Sequence, residues 1–472
     1  MLTFLNRHRW WFLAATVAAV LLRLFFVLKL RVIEGDSLVY GDIAKCLVKT
    51  HMYGIEKAGG WEPTLIRLPG YPAFLAFTFL IFGVDHYFGA MLFQLVFDVL
   101  TCFLVADIAR RIFSERAART AFVLAAFCPF LMNYVATPLT ECLEVFFTAA
   151  AFDCAVIALN SRLLRWWALC GAAIAAAILL RPDGGLLVGC IALPALLIAV
   201  IQPKRRRELM TATVLLGAVS LAPLVPWTIR NWRVFHVFQP LVTAHANDPG
   251  EFLPLGFERW CRTWAFDYSA AIDVGFPVSG GPIDIGDVPD FAYVSEGQRQ
   301  TVHSLFDQYN VNHDMTPEID SQFAVLAEQN IRLHPIRYYL LLPTARMLDM
   351  WFRPRTEMMP LDTHFWEIRK DPHDALCSMA LALLNLFYVA AAVAGAWLLR
   401  HHVPYLALML TFLIVRSLFL ATTGGSEDRY TLECFPIVFV LGAGFLTWLK
   451  TRNSPLDAAA YSNVSGHYKT GA

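Results

Sequence analysis

Residues 10–30 read WWFLAATVAAVLLRLFFVLKL, preceded by Arg7, His8 and Arg9, and this stretch sets the class of the chain. It exceeds the roughly 18 apolar residues that mark a membrane helix. It is too long for the apolar region of a secretory signal, and no small-residue cleavage site follows. It therefore reads as an uncleaved first span with its N-terminus in the cytoplasm. Outward from it, segments of spanning length recur at 87–109, 117–135, 139–159, 165–180, 184–201 and 208–229, and again at 374–399, 403–422 and 432–449.

The composition agrees. Hydrophobic residues make up 57%, charged residues 16%, and mean hydropathy is +0.51; soluble domains carry about a quarter charged residues. The formal net charge is zero, which leaves no nucleic-acid footprint. The ten Cys lack paired spacing. Cys102, Cys128, Cys142, Cys154, Cys170 and Cys190 lie inside apolar runs as small hydrophobes, so neither a disulfide framework nor a zinc site is read from them.

Basic residues follow the positive-inside rule if about ten spans are counted. Arg110, Arg111, Arg116 and Arg119 fall between spans two and three, Arg162 and Arg165 between four and five, and Lys204 to Arg207 between six and seven. Arg400 and Lys450 then also fall inside. The count requires Pro335–Phe352, with Arg337, Arg346 and Asp349, to be an amphipathic helix at the interface. An eleven-span count is the alternative. The expected fold is an all-α membrane protein with interfacial helices in its first outer loop and a mixed exterior segment. The expected organisation is an N-terminal membrane module over 1–229 with a first outer loop at 31–86, an exterior region over 230–372 with a helical piece near 317–334, membrane helices over 373–450, and a cytoplasmic tail over 451–472.

The ionisable residues gather in the outward turns. The first loop reads Glu34-Gly35-Asp36-Ser37-Leu38-Val39-Tyr40-Gly41-Asp42. A carboxylate at a membrane boundary is costly unless wet, paired or functional. Asp36 fits a general base or metal ligand, and Asp36 or Ser37 also fits the N-cap of a solvated helix over 38–49. Arg67, just before Pro69-Gly70-Tyr71-Pro72, fits a phosphate ligand at headgroup level or an interfacial anchor. Glu141 opens span four with Glu144 one turn later, and Arg181 and Asp183 share a tight turn. Arg230 ends span seven, and Glu427, Arg429 and Tyr430 precede the last span. Arg with carboxylate at one mouth suits a site that holds a lipid phosphate and deprotonates an acceptor. A transporter places such groups at mid-membrane, where spans two, four and nine carry Asp98, Asp107, Asp153 and Arg416.

Taken in order, these motifs resemble the GT-C type membrane glycosyltransferases, the group of protein O-mannosyltransferase and lipid A aminoarabinose transferase relatives. Asp36-Ser-Leu-Val-Tyr40 is similar to the acidic first-loop motif, and Arg67-Leu-Pro-Gly-Tyr-Pro72 to the basic Pro-Gly-Tyr-Pro segment. Leu180-Arg-Pro-Asp-Gly184, Pro226-Trp-Thr-Ile-Arg-Asn231 and Glu427-Asp-Arg-Tyr430 are similar to three further signatures. The resemblance covers about 10–450 and implies inverting hexosyl or pentosyl transfer from a polyprenyl-phosphate sugar to a lipid, glycan or protein acceptor, outside a cell membrane such as a bacterial inner membrane. It implies Asp36 as the base and Arg67 as the donor-phosphate ligand, with Arg230 and Arg429 as further phosphate candidates. Tyr40, Asp42, Glu141, Arg181, Glu427 and Tyr430 are supporting candidates. Ile66 stands where the aminoarabinose transferase has an acidic residue, so no clear divalent-metal ligand set is read. A flippase of lipid-linked sugars, or a glycan polymerase or ligase of another family, remains the alternative reading of the same layout.

Overall fold

The apolar runs fold as helices because in lipid every backbone N–H and C=O must be satisfied within the segment. The structure is a computed structural model that describes residues 1–452 apart from Ala244, Thr363, Glu367 and Ser426. Nearly all of the tail expected over 451–472, from Asn453 on, lies outside the described residues.

In chain order the elements are α1 (Arg9–Lys29), α2 (Asp36–Thr50), a hairpin of β1 (Gly54–Lys57) and β2 (Gly60–Pro63), α3 (Gly70–Phe82) and α4 (Tyr87–Ile112). Then come α5 (Glu115–Ala126), α6 (Pro129–Val135), α7 (Glu141–Ser161), α8 (Leu164–Leu180), α9 (Leu186–Ile201), α10 (Arg206–Leu221) and α11 (Leu224–Phe235). The exterior region expected from sequence holds α12 (Leu255–Cys261), α13 (Glu296–Asn312), α14 (Pro317–Leu333) and α15 (Leu342–Phe352), and α16 (Pro372–Leu398), α17 (Val403–Ala421) and α18 (Phe435–Arg452) follow. Among the described residues, eight helical runs are long and apolar enough to cross a membrane, and α5 with α6, bent by 54°, makes a ninth when the pair is counted as one broken span. The tenth expected segment is α8, which at 17 residues is slightly short. The fold is thus the expected helical one, with one antiparallel hairpin pairing Gly54 with Pro63 and Lys57 with Gly60.

The chain forms two compact units. The first holds Met1–Val242, Leu386–Leu413 and the chain from Leu432, and the second holds Thr243–Asn385 and Ile414–Thr431. Within the first, the bend between α5 and α6 has a local cause. Pro129 has no N–H, so the Ala125 carbonyl loses its helical donor. Arg23 of α1 supplies the replacement: its guanidinium donates to Ala125 O at 3.4 Å and Ala126 O at 2.9 Å. The same guanidinium pairs with Asp98 of α4, and both side chains are sealed from solvent.

Within the second unit, α12, α13 and α14 enclose an aromatic core of Phe257, Trp260, Trp264, Phe306, Tyr309 and Phe323. Gly256 makes the contact of α12 with α14 feasible, since a Cβ there would stand 2.1 Å from the Asp320 carbonyl. In the 335–352 segment, Arg346 turns inward and donates to the carbonyls of Ala265 and Arg262, while Ile336, Tyr339, Leu340 and Leu341 are exposed. Burial raises the Asp349 carboxyl to about 7, against the opposing pull of Arg353. A folded state that holds a proton which the unfolded chain releases near pH 4 loses stability as pH rises from about 4 to 7. Asp349→Asn is therefore expected to melt above wild type at pH 8 and with it at pH 4, in thermal melts of the detergent-solubilised protein. Parallel melts at both pH values would contradict this.

Candidate active site in the first loop

Gly35, at φ +54°, turns the chain into α2 and sets Asp36 in the first helical turn. Across from it, Arg67 lies between β2 and α3, and its Nη2 donates to Asp36 Oδ1 at 2.6 Å. Arg67 Nη1 donates to Ile66 O, and the guanidinium lies 5.6 Å from the centre of the Tyr40 ring. The side chains of Arg67 and Asp36 are 20% and 36% exposed, so the pair is ordered yet open to a ligand. Burial alone would lower the Arg67 pKa, but the Asp36 carboxylate overrides it and holds the guanidinium above its ordinary value. Burial likewise raises the Tyr40 phenol, which stays neutral across physiological pH.

The position of Arg67 is set from outside the pair. Tyr53, just before β1, donates its hydroxyl to Arg67 O at 2.9 Å. The Tyr53 carbonyl accepts from Arg230 Nη2 at 2.6 Å, and the Thr64 carbonyl accepts from Arg230 Nη1 at 2.7 Å. The rings of Tyr53, Trp227 and Phe235 surround that guanidinium at 5.2–5.3 Å. Arg230 thus braces the hairpin against α11. Lysine cannot reproduce the two-carbonyl fork. Arg230→Lys is expected to destabilise the protein by about 1–2 kcal/mol, the worth of one to two hydrogen bonds. Thermal melts of the solubilised protein check this, and a melt superimposed on wild type would refute the bracing role.

The Pro69-Gly70-Tyr71-Pro72 segment anchors the other side. A Cβ on Gly70 would stand 2.6 Å from Leu179 O, so glycine lets the start of α3 abut the end of α8. Tyr71 donates to Gln94 Oε1 at 2.6 Å, and Gln94 Nε2 fans onto the carbonyls of Tyr134, Val135 and Thr137. One amide in α4 therefore fastens α3 and the α6–α7 turn together.

Arg181 lies among three carboxylates, Asp183 at 3.4 Å, Glu141 at 3.5 Å and Glu144 at 3.6 Å. The buried Tyr40 hydroxyl lies within electrostatic range of Arg67, Asp36, Arg181 and Glu141, members of both clusters. Asp42 turns away from Arg67 to Lys45, which also binds Asp85. In the second unit, Glu427 pairs with Arg429 and accepts from the Tyr430 hydroxyl. Arg429 lies 5.2 Å from the centre of the Tyr430 ring, and its backbone N–H donates to Glu357. Tyr53 and Gln94 escaped the sequence reading. Gln94 was findable as an amide inside an apolar run, whereas Tyr53 carries no sequence signal.

The charges at membrane depth are engaged with neighbours. Asp98 meets Arg23, Asp107 meets Arg110 and Arg111, and Asp153 lies 3.9 Å from Arg111. Arg416 donates to Tyr430 O. Among the described residues no three His, Cys, Asp or Glu side chains gather as a metal site, and the positive charge amid Glu141, Glu144 and Asp183 is that of Arg181.

Residues 63–229 match the dolichyl-phosphate-mannose-protein mannosyltransferase family. No curated protein matches the chain. Among solved structures, the chain is similar to the oligosaccharyltransferase AglB from the archaeon Archaeoglobus fulgidus in complex with an inhibitory peptide and a dolichol-phosphate. The identity is 14%, 96% of this chain and 52% of AglB are covered, and the TM-score is 0.51. The apo form of that enzyme gives 16% identity, coverage of 96% and 52%, and a TM-score of 0.51. ArnT from Cupriavidus metallidurans bound to undecaprenyl phosphate gives 13% identity, coverage of 92% and 78%, and a TM-score of 0.42. The chain spans about half the length of AglB. It is a multi-pass membrane protein with a GT-C-like fold, in line with the resemblance read from its motifs.

Proposed function

We propose that the chain is an inverting glycosyltransferase. It moves a hexose or pentose from a polyprenyl-phosphate donor to a lipid, glycan or protein acceptor on the exterior face of a cell membrane, with both termini in the cytoplasm. The observation that carries this reading is the ordered, accessible Asp36–Arg67 pair. The family match begins at residue 63 and so includes Arg67, and the structural neighbour AglB is a transferase seen with a dolichol-phosphate. The engagement of Asp98 and Asp153 with arginines speaks against a transport path through the bundle.

The chemistry needs one base and one stabilised leaving group. Asp36 takes the proton of the acceptor hydroxyl or amide as that atom attacks the anomeric carbon. The bond from the anomeric carbon to the phosphate oxygen breaks, its electron pair stays on the lipid phosphate, and the configuration inverts in a single displacement. Arg67, a five-donor fork, holds Asp36 and a phosphate oxygen at once and stabilises the developing charge. Arg230 positions Arg67, and Arg181 with its carboxylates shapes the wall beyond Tyr40. Arg429, paired with Glu427, is a further candidate for holding a phosphate.

The reading is tested by mass spectrometry of lipid-linked sugars and glycans in cells lacking the protein. A polyprenyl-phosphate sugar should accumulate and a glycosylated acceptor disappear, both restored by the wild-type gene. Arg67→Gln should restore transfer about 10²–10³-fold less well, as expected for loss of a leaving-group donor. Unchanged pools in the deletion strain would overturn the reading.

A further inference from the structure

At the end of α5 remote from its break with α6, a cleft of about 440 Å³ opens between α1, α5 and α18. Its size falls within the range of small-molecule sites. Arg116, Arg119 and Lys450 line it together with Trp11 and the hydroxyl residues Thr120, Thr447 and Thr451. No carboxylate is among the described lining residues. The nearest acid in sequence, Glu115, is engaged by Arg7 at 3.1 Å and His8 at 3.6 Å. Arg119 Nε is buried without a hydrogen-bond partner, a desolvated cationic donor that would ordinarily find an acceptor. Thr447 and Thr120 stand 3.5 Å apart, Oγ1 to Oγ1, offering further donors.

Three cations and three hydroxyls in a concave site, with no acid among its described lining residues, select a phosphate-bearing anion. The wall of the cleft selects its source. Val123 lines it and is partly exposed, and one turn further along, Phe127 continues an exposed apolar surface. Trp10 and Leu13 at the start of α1 are likewise exposed, the placement of an aromatic at the headgroup level. A soluble phosphate would have no use for an apolar wall rising from its site, whereas an acyl chain lies along one. We propose that this cleft binds the headgroup of an anionic phospholipid, in the leaflet opposite to the one that faces the Asp36 loop.

The test is native mass spectrometry of the full chain in detergent, titrated with phosphatidylglycerol or with phosphatidylcholine. Phosphatidylglycerol should be retained at least tenfold more strongly. Each cation near an anionic headgroup is worth about fivefold, so Lys450→Gln should weaken retention about fivefold and the double variant Arg119→Gln/Lys450→Gln about 25-fold. Lys450 is exposed at a helix end, so its single variant carries the test if the double one fails to fold. Arg162→Gln/Arg165→Gln, basic residues outside the cleft, should leave retention unchanged. Equal retention of the two lipids overturns the proposal, as does an equal effect of the Arg162/Arg165 variant, which would mean general charge attraction. Displacement of phosphatidylglycerol by millimolar inorganic phosphate would assign the cleft to a free anion and overturn the lipid reading.

Discussion

Asp36→Asn is expected to lower sugar transfer about 10²–10⁴-fold, the range for losing a positioned general base. The substitution keeps the side chain's shape and an oxygen to accept from Arg67 Nη2, so the loop should keep its geometry. What it removes is the capacity to take a proton. The loss should therefore fall on kcat, with donor KM little changed and the melting temperature close to wild type. Turnover measured with saturating polyprenyl-phosphate sugar distinguishes the outcomes. Wild-type turnover in the Asn variant would remove Asp36 from the chemistry. A large rise in donor KM with normal kcat would recast it as a binding residue.

The second large effect is on stability. Asp98→Ala should destabilise the protein by about 3–5 kcal/mol, because it strands the sealed Arg23 guanidinium without its counter-charge. The expected sign is a sharp fall in the yield of monodisperse protein and in its thermal midpoint. Arg23→Leu/Asp98→Leu should recover part of the loss, since no orphan charge remains. Recovery should stay incomplete, because the carbonyls of Ala125 and Ala126 then lack the donors that Arg23 gives them. A single Asp98→Ala protein that melts with wild type would show that the pair is not sealed as described.

The spans were legible because apolar runs of this length have few alternatives to a helix. The hairpin was not. Its strands have four residues each, and the Ala58-Gly59 turn that joins them sits in a loop dominated by helix-like neighbours. For the site, the motif order grouped Asp36 with Arg67 in one loop, and the structure joins them directly. The finer assignment of Arg230 was beyond sequence because its partners are backbone carbonyls, which have no residue identity to read. Asp42 shows the same limit in reverse: it is close to Asp36 in sequence, but Lys45 draws it toward Asp85. Spacing lists the ionisable groups near a mouth, whereas partner choice depends on packing that only the fold supplies.

The guanidinium that caps the proline break also bears on how the protein is made. Helix α1 leaves the ribosome before α4 and α5, so Arg23 enters the insertion machinery before Asp98 and the broken turn exist to receive it. A lone arginine near the middle of a segment costs about 2.5–3.5 kcal/mol in translocon-mediated insertion. The apolar residues on either side of Arg23 in α1 offset that cost. Settling of the first segment is thus coupled to synthesis of the next two, and α1 grafted alone onto a reporter should be a weaker autonomous anchor than its hydropathy suggests.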